Sequence, residues 1–247
     1  MGQVVDRVGA LLGSFTPQEP RLSLGVCAER AGLSKSSAHR LLVSLSDIGL
    51  VERDEAGSWQ IGELPLHLAA IRLSHRNMRR EAQSALAALG EKYAASTAFS
   101  VPNGNQMVYV ERTDSALPYE PSARLGSTAP VWAGAAGRAV LSRLPPDERT
   151  RRCQSPEWSA LARSIRTRID KELEEAATRG YSVDRGEFFD GVAGVAACLE
   201  RGGVPVAAMS LIMSPERMST DLEHQMGEEL RELALEIMRR TTLPTSD

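Results

Sequence analysis

The sequence has few of the residues from which sites of chemistry are usually built. It has three cysteines, Cys27, Cys153 and Cys198, far apart and without a CxxC pair. Three thiols cannot pair completely, so a disulfide scaffold and a zinc ribbon drop out, and each reads as a small buried apolar residue. Of four histidines, His67, His75 and His224 are scattered without ligand-like spacing, so no metal is expected. A GxSxG elbow, an HExxH helix and a phosphate-binding GxxxxGKS/T loop are all missing, so no catalytic residue and no cofactor is expected. No apolar run approaches the roughly 18 residues that a membrane span needs, which argues against a membrane partner. The opening stretch MGQVVDRVGALLGSF carries Asp6 and Arg7 among its apolar residues. It reads as an amphipathic helix rather than a signal peptide, and a cytoplasmic protein is the expectation.

What is present suits two soluble domains. The 247 residues are 42% apolar and 25% charged, long for one compact unit and natural for two. Net charge is −3, awkward for a chain that binds nucleic acid. Placement matters more than the sum. From Arg30 to Arg40 there are Arg30, Lys35, His39 and Arg40 and no acid. Arg76, Arg79 and Arg80 form a second basic cluster.

The first 63 residues carry closely spaced start and stop signals. Val4, Val8, Leu11 and Leu12 recur at helical spacing, and Thr16, Pro17 and Pro20 end that helix. Ser23 is an N-cap for a helix to about Ala31, which Gly32 stops. Ser34 caps the next helix, whose apolar stripe is Ala38, Leu41, Leu42, Leu45 and Ile48, with Gly49 at its end. Residues 50–53 and 58–61 alternate around Asp54-Glu55-Ala56-Gly57, a hairpin. Helix, helix, turn, helix, hairpin is the order of a winged helix-turn-helix.

Beyond it, 64–78 reads as a linker helix and 79–247 as a second domain. There, helices are expected from Arg79 to about Ala94, Gly134 to Leu144, about Arg166 to Arg179 and Thr220 to Arg240. Strands are expected at 97–101, 106–111, 181–184, 192–199 and 205–213. Strands interleaved with terminal helices predict an α+β domain around an antiparallel sheet. Glu172, Glu174 and Glu175 read as a solvated helix face.

The second helix of a helix-turn-helix lies in the major groove, with its first turns at base edges and phosphates. Here its outward face offers Lys35, Ser36, Ser37, His39, Arg40 and Ser44. Lys35 and His39 share one surface, as do Ser36 and Arg40. Short serines allow close approach of the backbone, and Arg40 can bind guanine or clamp a phosphate. Arg53 at the hairpin, with Gln3 and Arg7 on the first helix, is placed for phosphate. His39 either faces DNA or serves a neighbouring contact.

The segment RLSLGVCAERAGLSKSSAHRLLVSLSDIGLVERDEAGSWQIG resembles the N-terminal domain of IclR-family transcriptional regulators. APVWAGAAGRAVLSRLP, IRTRIDKELEEAATRGYSVDRGEFFDGVAGVAACL and PVAAMSLIMSPERM resemble that family's later segments, in order. The resemblance implies a winged helix-turn-helix joined by a linker helix to a GAF-like α+β effector-binding domain. It implies a homodimer or homotetramer on pseudo-palindromic operator DNA, a small-molecule effector, and repression as the default.

Position by position, it also implies an effector site. Trp132, Ala135 and Ala136 come from the turn into the small-residue helix, whose backbone N–H groups would suit a carboxylate. Asp184 comes from the Gly-Tyr strand, Val192 and Gly194 from the glycine loop, and Ser210 and Ile212 from the last strand. The chain departs from many relatives in having Gly194 where they have cysteine, Ile212 where they have a hydroxyl, and Trp132 where the residue is often smaller or polar. That favours an aromatic or otherwise apolar carboxylate or amide, unless Trp132 simply fills core. Two other readings stand beside the regulator. One is an enzyme with a nucleic-acid-binding appendage, for which Asp184 and Glu187 could pair as carboxylates but lack a nearby histidine or lysine in sequence. The other is a winged helix used only for protein contacts.

Overall fold

The computed structural model describes residues 2–74, 77–115 and 124–242. They fall into two compact units, divided between Arg76 and Asn77.

In the first unit α1 (Gly2–Leu12) leads to β1 (Arg21–Leu22), α2 (Leu24–Arg30) and α3 (Lys35–Asp47). Ser23 and Ser34 cap α2 and α3, their hydroxyls accepting from the Val26 and Ser37 amides. Gly32 and Gly49 have φ of +64° and +76°, which is why glycine ends each helix. The hairpin β2 (Val51–Arg53) and β3 (Trp59–Ile61) follows, and then α4 (Glu63–Ser74). β1 adds a third strand to the hairpin, pairing Leu22 with Trp59. Two residues leave no periodicity to read, so sequence alone gave no sign of it. The stripe Ala38, Leu42 and Leu45 of α3 meets Leu11, Leu22, Cys27, Ala28, Val51 and Trp59 in one core. Ile48, expected on that stripe, is instead exposed at the C-cap.

The second unit contains α5 (Asn77–Tyr93), β4 (Ser96–Asn103), β5 (Gln106–Thr113), β6 (Thr128–Pro130), α6 (Gly134–Leu141), α7 (Pro146–Cys153), α8 (Pro156–Ala160), α9 (Arg163–Arg179), β7 (Tyr181–Asp184), β8 (Ala193–Arg201), β9 (Val204–Met213) and α10 (Thr220–Thr242). The six strands form one antiparallel sheet in the order β6-β5-β4-β9-β8-β7. Side chains alternate across a sheet. On β9, Met209, Leu211 and Met213 pack with Leu86 of α5 and Met226, Leu230 and Ile237 of α10. The alternate residues of the strand face the other way: Ala208 packs with α6, and Ile212 packs with Ala98, Tyr109 and Ala129. The sheet thus has α5 and α10 on one face, and α6 backed by α9 on the other. The second face positions the site described below.

Three local features were not expected from sequence. β6, α7 and α8 are short, and prolines at the starts of α7 and α8 set their first turns. Glu172 corrects the expected solvated face. It is buried, accepts the Val183 amide at 2.7 Å and pairs with Arg179, while Glu174 and Glu175 remain exposed. His75 and Arg76 of the expected linker and basic cluster lie outside the described residues, as do the side chains of Arg79 and Arg80.

Candidate DNA-reading face and ligand site

Lys35, Ser36, His39, Arg40 and Ser44 are exposed along α3, and Ser37 is half-buried. They share a face because the opposite one is committed to Ala38, Leu42 and Leu45. Among the described residues, no ion pair engages Lys35 or Arg40. The Lys35 Cε lies 3.8 Å from where a β-carbon of Gly25 would sit, so its stem leans along the start of α2. Part of the expected hydroxyl surface is already in use. Ser34 Oγ lies 3.0 Å from Ser37 Oγ and 3.2 Å from Ser36 Oγ, and Ser44 Oγ donates to the Arg40 carbonyl at 3.1 Å. The wing residue Arg53 also has local work. Its Nε donates to the Gly57 carbonyl at 3.0 Å, and its guanidinium lies 5.9 Å from the Trp59 ring centroid. His39 has its ring edge against the same Trp59 at 6.5 Å while its side chain stays exposed. Gln3 and Arg7 are exposed on α1.

In the second unit the residues implied by resemblance meet in space. Asp184, Gly194 and Ile212 form one row across β7, β8 and β9, and Ser96 of β4 extends it. A β-carbon on Gly194 would stand 3.8 Å from Ile212 Cγ1 and 3.9 Å from Ala135 Cβ. Val192 packs against the Ile212 cluster, and Trp132, Ala135 and Ala136 share a cluster with Ala196 and Ala208. Ser210 lies between Ala208 and Ile212 on the same face. The N-terminus of α6 has no side-chain cap, since its N-cap position is Ala133. Gly134, with φ of +70°, opens the helix.

Three polar atoms here are buried without a hydrogen-bond partner: Trp132 Nε1, Ser210 Oγ and Ser100 Oγ. Ser100 sits beside Ser210 in the next row, opposite Ala208. A buried donor or acceptor left unmatched costs about 1–3 kcal/mol, so these three atoms would gain from a polar partner on this side of the sheet.

Several residues gathered at this site were not singled out from sequence. Arg138, 1% exposed and the one charged residue of α6, donates to the Trp132 and Val183 carbonyls at 3.2 and 3.4 Å. It pairs tightly with Glu187 and faces Asp184 Oδ1 at 3.8 Å. The structure thus sets a buried guanidinium, distant in sequence, against the two carboxylates. Burial pushes the Asp184 carboxyl up to about 6, against the opposing pull of Arg138. Burial is also the largest single influence on Glu187 and acts in the same direction, but the Arg138 hydrogen bond and charge, with Asp184 and Arg168 adding to them, together outweigh it and hold Glu187 below the usual carboxylate range. The Tyr109 phenol is pushed up to about 12 by burial, with the Asp184 charge adding to it.

Phe188 and Phe189 were also missed. Phe188 stands edge-on to Trp132 at 4.8 Å and to Phe189 at 4.7 Å, and Trp158 lies 5.6 Å from Trp132 in a tilted contact. The chain has only four phenylalanines, so two in succession were the available signal. All three thiols have raised pKa values through burial, that of Cys153 to about 11.

A winged helix-turn-helix unit in the same chain as an α+β sheet unit is the architecture of a transcriptional regulator. The IclR helix-turn-helix domain matches residues 4–55, and the bacterial transcriptional regulator IclR C-terminal domain matches 70–239. The chain belongs to the IclR family of transcriptional regulators. It is 26% identical over 235 residues to the regulator KipR of Bacillus subtilis, covering 94% of each chain. It is 26% identical to the acetate operon repressor of Salmonella typhimurium, covering 95% of this chain and 88% of that one. Its fold matches an IclR transcriptional regulator from Silicibacter with a TM-score of 0.82 at 21% identity, over 98% of each chain. It also matches an IclR homologue from Microbacterium hydrocarbonoxydans complexed with 4-hydroxybenzoate, with a TM-score of 0.79 at 23% identity, over 96% of this chain and 99% of that one. Among the described residues, no helix is long and apolar enough to cross a membrane.

Proposed function

We propose that this regulator is a cytoplasmic repressor that binds operator DNA as a homodimer or homotetramer and responds to a small aromatic acid. Residues 1–63 form the DNA-binding head, 64–78 the linker and 79–247 the effector domain. Lys35, Ser36, Ser37, His39, Arg40 and Ser44 meet the major groove, with Arg53 at the adjoining backbone. Trp132, Ala135, Ala136, Asp184, Val192, Gly194, Ser210 and Ile212 surround the effector, with Phe188 and Phe189 added to its walls. The observation that carries the reading is the exposed basic face of α3, whose Lys35 and Arg40 are spent on no ion pair among the described residues. Repression is supported by relatives named as repressors, and an aromatic acid by the homologue complexed with 4-hydroxybenzoate. The effector acts by linkage. It shifts the DNA-binding equilibrium only by its different affinity for the two states.

The test is to select operator fragments from genomic DNA with the full-length protein and measure their affinity against salt. Affinity should fall steeply with salt, and 4-hydroxybenzoate should release the DNA. Replacing both Lys35 and Arg40 by alanine should make the log–log salt slope less negative by about 1.8 per DNA-binding head. Wild-type affinity and slope in that folded variant would refute the α3 assignment.

A further inference from the structure

The polar end of the ligand site is acidic, and this bears on how it can hold an acid. Arg138 is a single buried cation flanked by two carboxylates, Asp184 and Glu187. Glu187 holds it more closely. Nearby charges do not correct the count, because Arg185 is engaged bidentately by Glu223 at 2.7 and 2.5 Å, and Arg179 by Glu172. Arg168 on α9 acts on Glu187 but is exposed, so solvent screens its charge, Tyr109 on β5 is a neutral phenol, and Gly194 and Ser210 on β8 and β9 bring no charge.

The geometry puts one Asp184 oxygen where a ligand's head would go. Asp184 Oδ1 accepts the Glu187 amide at 3.1 Å. Its Oδ2 turns the other way, 3.7 Å from where a β-carbon on Gly134 would stand, and Phe189 Cε2 lies 4.0 Å from the same point. That point is the uncapped start of α6, where backbone N–H groups favour an anion. The unmatched Trp132 Nε1 and Ser210 Oγ, each at least nine-tenths buried, lie on this same side of the sheet, where Trp132 packs with Ala196 and Ala208. An incoming carboxylate would therefore be the third anion beside one cation, in contact range of the second.

We propose that an aromatic carboxylate enters this site together with a proton, which comes from the buffer and settles on Asp184 Oδ2. The resulting neutral carboxyl donates a hydrogen bond to the ligand's carboxylate. This rests on the aromatic-acid reading above and adds its mechanism of recognition: Asp184 is a specificity-determining residue that ties acid binding to pH. Counting Arg138, Asp184, Glu187 and the ligand, the site charge is then −1 with ligand and proton bound, rather than −2. The burial that already favours protonated Asp184 makes the uptake inexpensive near neutral pH.

Calorimetry of the full-length protein tests this, with 4-hydroxybenzoate as the probe, from about pH 5.5 to about pH 8.5 and in buffers of different ionisation enthalpy. The benzoate is an anion throughout. Near pH 8 we expect about one proton taken up per site, and above pH 6 a Kd that weakens roughly tenfold per pH unit. Asp184→Asn, which keeps the acceptor for the Glu187 amide, should flatten the profile and bind at pH 8 about as well as the native protein binds at pH 6. The uncharged 4-hydroxybenzamide should bind the native protein without net proton uptake. Binding of 4-hydroxybenzoate with no proton uptake and a flat profile in the native protein overturns the proposal and leaves the aromatic-acid reading standing. No binding at any pH overturns both. The native-protein measurements decide the matter even where Asp184→Asn does not fold.

Discussion

Replacing Trp132 by phenylalanine separates a ligand-facing indole from one that only fills space. Trp132 is 1% exposed, and such a truncation in an ordinary core is plainly destabilising. Here two effects oppose each other. The phenyl leaves a void of roughly 30–40 Å³, which costs about 1 kcal/mol at about 24 cal/mol per Å³. Removing an indole N–H that is buried without a partner recovers about 1–3 kcal/mol. The edge-on contact with Phe188 and the tilted contact with Trp158 need only an aromatic ring at position 132. Thermal unfolding of the ligand-free protein should therefore shift by no more than about 4 °C downward, and an upward shift is within the range. The bound state should behave differently, because a ligand oxygen loses its donor. Calorimetric affinity for 4-hydroxybenzoate should fall by about 1–2 kcal/mol, roughly five- to thirtyfold. A drop in melting temperature of more than about 8 °C with unchanged affinity would show that the indole is core alone, and would refute the reasoning.

Other expectations concern the frame that holds these sites. Ser34→Ala removes the cap of α3 and should lower the stability of the first unit by about 1 kcal/mol, seen as faster amide hydrogen exchange through the first turns of that helix. Gly137→Ala would set a β-carbon 1.9 Å from the Val131 carbonyl oxygen and should abolish soluble folded protein. Gly9→Ala meets nothing within 4 Å in the interior of α1 and should raise stability by up to about 1 kcal/mol in denaturant melts.

What could be read in advance follows from how locally each feature is encoded. The head was legible because its signals act over three or four residues: Ser23 and Ser34 cap, Gly32 and Gly49 stop, and the α3 stripe repeats with the helix. The antiparallel sheet was legible as strands, but no pattern within a strand announces its neighbours. The ligand site was reached by resemblance, and the structure gathers those residues around one face. Its charge centre stayed hidden because Glu187 lies 49 residues from Arg138 in sequence. Glu172 was misread as solvated although it adjoins the buried Leu173 and Ile169 on one side of α9. Its position on that side was the available clue, and its partner Val183 lies on the next strand.

The three thiols carry a consequence for reactivity. Oxidants and electrophiles attack the thiolate, and burial holds Cys27, Cys153 and Cys198 in the protonated form. In the folded protein these thiols are therefore weak nucleophiles toward peroxide and electrophiles, and unfolding would be needed to make them reactive.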